Sequence, residues 1–278
     1  MTASEVSTSE PSGDEHAHAS IWPFVAGTGL GIALGGLVFH FAITIAGLAV
    51  IFTALGGWLY QDARGHAIGK VEGPTQEAPF AGISNRKMGV WLFLASEIFF
   101  FSGIIGGSLA LRAREGWFAP QFGGSWQAPG VVLNVPLTAV NTFILVASSL
   151  TMVESLRGFE LGKMNRARAF LLATLLLGIL FLSIQISEYR ILFLDKHLTP
   201  WPNLIRPDLA VYGTTFYMQT GFHGAHVTGG VIAMGFLNIK AWRGKYNQAN
   251  HEAVELVGLY WHFVDVVWIF LFTIVYLI

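Results

Sequence analysis

Between Met88 and Leu111 the chain runs for 24 residues with a single ionisable side chain, Glu97. A helix of that length crosses the roughly 30 Å hydrocarbon core of a bilayer. An acidic group at the centre of such a span costs roughly 2–4 kcal/mol to insert, so it marks a functional site or pairs with another group at its own depth. The rest of the chain has the same character. Of its 278 residues 53% are hydrophobic and only 12% charged, where a soluble domain carries about a quarter. This composition predicts an all-α integral membrane protein that crosses the bilayer several times. A net charge of −1 says nothing of partners, and nothing points to nucleic acid. The absence of cysteine excludes disulfides, a thiolate nucleophile and Cys-ligated metal.

Residues 1–20 are rich in Ser, Thr, Glu and His and contain no Lys or Arg. They lack the basic start of a secretory signal and are expected to form a disordered arm. His16 and His18 are solvated tail histidines on this reading. From Ile21 to Tyr60 the sequence is almost uninterruptedly apolar. As one helix it would reach about 60 Å, twice a hydrocarbon core. It must fold back as a hairpin, with helices near 22–39 and 42–60 turning at His40. Gly27, Gly29, Gly31, Gly35 and Gly36 offer a small-residue face for close packing.

After a polar loop, 61–87, five further spans follow near 88–111, 132–153, 169–194, 213–238 and 255–277, with loops at 112–131, 154–168, 195–212 and 239–254. The seven spans divide into residues 21–60, holding the first two, and 88–278, holding the other five. Loops on the N-terminal side (61–87, 154–168 and 239–254) hold 11 Lys and Arg, against 5 on the opposite side. This excess orients the N-terminus to the cytoplasm and the C-terminus to the periplasm.

That topology places Glu97 about 14 Å below the start of its helix, near the midplane. His223 and His226 lie three apart on the sixth helix, and His262 and Asp265 repeat the spacing on the seventh. Glu188 lies near the outer end of the fifth. Ionisable groups at such depths face protein or trapped water and pair with one another. The spacing leaves four readings open: haem ligation by histidines of the sixth and seventh helices, a carboxylate–histidine metal site, a proton path in a carrier, or a buried hydrogen-bond network that fixes helix register. No Glu-x-x-His pair occurs, which weakens a di-iron carboxylate site.

Four stretches at these positions closely resemble subunit III of the haem–copper terminal oxidases. They are Trp91-Leu-Phe-Leu-Ala-Ser-Glu-Ile-Phe-Phe-Phe101, Gln185-Ile-Ser-Glu-Tyr189, Thr220-Gly-Phe-His-Gly-Ala-His226 and Tyr260-Trp-His-Phe-Val-Asp-Val-Val-Trp268. The loop residues Gly123-Gly-Ser-Trp126, Pro129-Gly130, Val135-Pro136 and Asn141-Thr142 are similar to the family's as well. The opening hairpin resembles it more loosely, in Trp22-Pro23, His40 and Tyr60-Gln61.

The resemblance implies a subunit with no haem, copper or other metal of its own, the haems and copper lying in partner subunits I and II. It implies support of subunit I and of proton uptake within a complex that reduces oxygen to water in a bacterial inner membrane. A two-helix hairpin splayed from a five-helix bundle, with phospholipid in the cleft between, is the implied fold, and that cleft is a proposed route for oxygen. Glu97 matches the family's carbodiimide-reactive glutamate, a chemistry that needs a protonated carboxyl. Glu97, Glu188, His223, His226, His262 and Asp265 are then a buried protonatable network, with no catalytic residue among them.

Lys240, Arg64 and His40 are the candidates for lipid head groups. Lys240 stands where relatives place an arginine, and it binds phosphate as a point charge without the bidentate fork. The acid that follows the position of Arg64 in relatives is Gly65 here. Related quinol oxidases often lack the first hairpin, so its presence favours cytochrome c as donor. The alternatives are a quinol oxidase subunit III and a proton-coupled carrier. A respiratory supercomplex is a further assembly open to such an oxidase.

Overall fold

The computed structural model describes residues 21–39, 41–63, 82–115, 130–200 and 209–278. Seven α-helices run through them: α1 (Trp22–Phe39), α2 (Phe41–Ala63), α3 (Asn85–Glu115), α4 (Val135–Glu160), α5 (Met164–Leu194), α6 (Ala210–Trp242) and α7 (Glu252–Phe272). The end of α7 widens into a π-helical turn, Thr273–Leu277. The chain divides into two compact units, Met1–Asn85 and Arg86–Ile278.

In the first unit α1 and α2 are packed against each other. Gly36 lies on the backbone of Thr44, Gly47 on that of Ala33, and Gly29 on that of Ile51. These pairs converge on residue 40, as an antiparallel hairpin requires. A side chain at Gly36 or Gly47 would strike backbone, so small residues are what permit the approach. Of the predicted glycine face, Gly27 and Gly31 meet nothing within 4 Å. His40 itself lies outside the described residues, as do Arg64 and the tail 1–20.

In the second unit four helices are long and apolar enough to cross a membrane: 85–114, 135–160, 164–194 and 252–277. Helix α6 is as long but more polar, and its polar residues point inward. Gln219, Thr220, His223 and Asn238 are buried, while Met218, Ile232, Phe236 and Ile239 are exposed. That inversion fits a helix solvated by lipid outside and by its neighbours within.

Several boundaries differ from those expected. The supposed loop 154–168 is almost entirely helical, because α4 and α5 run past the apolar window. Only residues 161–163 connect them. Gly162 has φ +70°, and the bonds Lys163 N–H to Gly158 O (2.8 Å) and Gly162 N–H to Phe159 O (3.0 Å) close a Schellman turn. Likewise Arg112 and Arg114 belong to α3, not to the loop after it. At the start of α4 the expectation erred the other way. Val132 and Leu133 are apolar and buried but precede the helix, which begins after Asn134. The Asn134 side chain accepts from Leu137 N–H and Pro136 follows, a pairing suited to a helix start.

The core of this unit lies among α4, α5, α6 and α7 and is built on Phe159, Phe181, Phe216, Trp261, Trp268 and Tyr276. The two indoles keep partners while buried: Trp261 Nε1–H donates to Ser148 (2.9 Å) and Trp268 Nε1–H to Thr142 (2.9 Å). These bonds tie α7 to α4 and set the height of every polar group on α7.

Candidate functional site: a carboxyl–imidazole pair in the membrane

Helix α3 brings Glu97 to the side of α6. Its Oε2 lies 3.1 Å from His226 Nε2, and the two side chains are 17% and 18% exposed. The geometry limits where the proton can be. His226 Nδ1 lies 2.7 Å from the carbonyl of Phe222, one turn back on the same helix. A carbonyl only accepts, so Nδ1 carries a hydrogen and the neutral ring offers Nε2 as a bare acceptor. The contact with Glu97 therefore needs one proton, held either by the carboxyl or by the imidazole. Phe101 meets the imidazole edge-on at 5.0 Å and Phe100 lies at 6.3 Å. Tyr260 donates to the backbone carbonyl of His226 (2.9 Å), and Phe93 stacks on the Tyr260 ring. Aromatic rings thus surround the pair on the α3–α6 seam.

The remaining predicted residues stand elsewhere. His223 Nε2 donates to the carbonyl of Val264 (3.1 Å) and its ring packs on Trp268 at 4.7 Å. His262 Nδ1 meets Ser149 Oγ at 2.5 Å, and Asp265 is buried beside the same serine. Glu188, near the C-terminal end of α5, accepts from Thr138 (3.0 Å), Gln185 (3.2 Å) and Tyr276 (3.2 Å). Lys240 is exposed in the last turn of α6, beside the exposed Trp242.

Among the described residues the six groups make separate contacts: Glu97 with His226, His262 and Asp265 beside Ser149, His223 on the Val264 carbonyl, and Glu188 with Thr138, Gln185 and Tyr276. Three residues along a helix turn the side chain by about 60° from eclipse, enough to aim His223 at α7 and His226 at α3. Equal depth brought groups to one level without bringing them together. The fit to a metal or haem is correspondingly poor. Among the described residues no three His, Asp or Glu side chains converge as ligands. His223 offers no lone pair at Nε2 while that nitrogen donates to Val264.

Sequence reasoning missed several participants. Ser149, Thr138 and Tyr276 are neutral polar residues in apolar runs, and only the fold shows which acid or imidazole each one meets. Arg112 did carry a signal, being a charge within one turn of the span. It is 3% exposed and donates to the carbonyls of Ile274 and Ile278 at the end of α7.

Comparison with known proteins bears on all of these positions. The family profile described as "Cytochrome c oxidase subunit III" matches residues 17–278. A protein of Mycobacterium tuberculosis named "Probable cytochrome c oxidase subunit 3" is 38% identical over 191 residues, 69% of this chain and 87% of the relative. The "Cytochrome c oxidase subunit 3" of Corynebacterium diphtheriae is 36% identical over the same shares. The fish Polypterus ornatipinnis has a protein of that name, 31% identical over 267 residues, 92% of this chain and 94% of its own. The chain is accordingly a multi-pass membrane protein of the cytochrome c oxidase subunit III family, and so a component of a haem–copper oxidase complex.

Proposed function

We propose that the chain is the redox-inactive subunit III of a bacterial, proton-pumping oxidase that reduces oxygen to water with electrons from cytochrome c. All seven helices cross the inner membrane, with the N-terminus cytoplasmic and the C-terminus periplasmic. The haems and copper belong to subunits I and II. This chain stabilises subunit I, sustains proton uptake and binds phospholipid, with Lys240 meeting a head-group phosphate.

The observation that supports a proton-handling role is the Glu97–His226 pair. Its two members share one proton, because His226 Nδ1 is committed to Phe222. In a low-dielectric seam the form without charge separation is favoured, with Glu97 O–H donating to Nε2. A neutral carboxyl of this kind is open to carbodiimide and holds a proton at mid-membrane without a counter-ion.

The test is to purify the complex through a tag on this chain. A haem–copper subunit should co-purify, and the complex should oxidise reduced cytochrome c. Turnover with quinol and none with cytochrome c would replace the donor; a chain purified without any haem protein would overturn the reading. Glu97→Gln should abolish carbodiimide labelling and leave the haem spectra unchanged, and altered spectra would contradict a non-redox subunit. Lys240→Ala should lower the phospholipid phosphorus retained per complex.

A further inference from the structure

The α4–α7 seam holds a second acid that the Glu97 pair does not use. Asp265 is 4% exposed, and neither of its carboxyl oxygens makes a well-formed hydrogen bond among the described residues. It makes no ion pair among the described residues. From α4 it faces Ser149, whose Oγ lies 2.5 Å from His262 Nδ1, one turn before Asp265 on α7. From α6 the adjacent titratable group is His223, which donates to the Val264 carbonyl instead of to the acid. His262 is half-buried, so the cluster runs from a sealed carboxyl to the rim of the seam. The order also separates it from a hydrolase triad, in which the imidazole stands between acid and serine. Here the serine is in the middle.

A hydroxyl has one hydrogen to donate and lone pairs that accept. If Ser149 donates to His262 Nδ1, an ionised Asp265 would be a buried anion facing a lone pair. Leaving a charge so placed is among the most unfavourable arrangements a protein interior offers. A protonated Asp265 reverses the problem, because its O–H can turn to the neighbouring Ser149 Oγ as an acceptor.

We propose that Asp265, Ser149 and His262 form a proton-holding relay on the α4–α7 seam, separate from Glu97–His226, with Asp265 as a neutral acid donating to Ser149. One concerted shift links this arrangement to its alternative. The Asp265 proton passes to Ser149 Oγ, the serine's own proton passes to His262 Nδ1, and an aspartate–imidazolium pair results. No proton is gained or lost, and the seam stores one at either end. This goes beyond the function proposed above and rests on it only for the material to be tested.

The experiment is isotope-edited infrared spectroscopy of the intact complex, with 13C in the aspartate side-chain carboxyl. The wild-type protein should show a carbonyl stretch from a protonated aspartic acid, absent in Asp265→Asn. Ser149→Ala should keep that band and move it to higher wavenumber, as the acid loses its acceptor. Glu97→Gln should leave it in place. The relay is overturned if Asp265→Asn removes only carboxylate bands, as a hydrated carboxylate would. It is equally overturned if Ser149→Ala leaves the band unmoved, or if Glu97→Gln shifts it and shows the sites to be one. Should Asp265→Asn fail to assemble, the Ser149→Ala shift decides the matter by itself. A complex that contains no haem would strike the oxidase reading and leave this measurement intact.

Discussion

Helices α3 and α5 are each 31 residues long and apolar through their middles, yet they are held in opposite ways. Helix α5 lies against α4 at backbone distance. A Cβ placed on Gly158 would come within 2.8 Å of the Ala167 backbone, Ser155 donates to Ala167 O (2.9 Å), and Thr151 bonds Thr174 (2.8 Å). Helix α3 is held at arm's length by side chains. Lys87 pairs with Glu255 at the N-terminal end of α3, Glu97 with His226 in the middle, and Ser108 with Gln219 (2.7 Å) and Arg112 with carbonyls at the end of α7 towards the other end. The aromatic rings Phe93, Phe100 and Phe101 fill the space between. Between these rungs a largely apolar groove of about 520 Å³ remains, lined by Phe101, Ile105, Val267 and Phe270 among others. The contrast shows that hydropathy sets whether a helix crosses a bilayer, while small residues and polar rungs set how closely it approaches its neighbours.

The sharpest way to break this comparison is to give both helices the same insult. Gly158→Leu should separate α4 from α5, at a cost of about 3 kcal/mol or more because backbone stands in the way. Gly103→Leu on α3, at an exposed position where a Cβ meets nothing within 4 Å, should be nearly silent. Recovery of this subunit in the detergent-purified complex, with its melting temperature, measures both. Equal damage at the two positions would mean that α3 is as closely packed as α5.

The spans themselves were legible in the sequence, the packing of α5 on α4 was not, and the tethering of α3 was legible only in part. Apolar runs and their length gave seven helices, and the forty-residue run before Tyr60 demanded a hairpin whatever its partners. What hydropathy could not locate was where helices stop. Arg157 and Lys163 look like a loop because they are charged, but a helix that has left the hydrocarbon continues in water until something ends it. At α4 that something is Gly162 with its positive φ. Glu97 was legible for a thermodynamic reason, since a lone acid in a span needs a partner, and depth put the histidines of α6 and α7 among the groups it could meet. Depth failed for His223 and His262 because it ignores azimuth: Val264 and Ser149 meet their rings from directions that spacing cannot show.

The middle rung on α3 gives the next largest effect. Gln at position 97 keeps an N–H to donate to the bare His226 Nε2, so Glu97→Gln should change stability by a few tenths of a kcal/mol, about the scale of one neutral bond exchanged for another. Glu97→Leu removes the donor and strands a partly buried acceptor, costing about 1–3 kcal/mol. The measurement is thermal release of this subunit from the complex, with the two variants side by side. If Gln is as damaging as Leu, the pair is ionic and the neutral form is wrong. If Leu is as mild as Gln, the rung does not hold α3 at all.

The rung at the N-terminal end of α3 should matter least, although it is an ion pair. Lys87 and Glu255 are each about a third exposed, at 30% and 32%, and Arg86 and Glu252 lie alongside at 3.8 Å with still greater exposure. At such exposure water and salt screen the attraction, and ordering two long side chains offsets much of what is left. Lys87→Gln should therefore lower the temperature at which this subunit is released by an amount matching about 0.2–1 kcal/mol, with the difference shrinking as salt is raised. Arg86 remains beside Glu252 in that variant, so α3 keeps a cation at the same end. A loss as large as that of Glu97→Leu, unchanged by salt, would show that the pair is sealed from solvent in the assembled complex. The end of α3 would then be clamped as firmly as α5, and the difference between the two helices would be confined to the middle of the membrane.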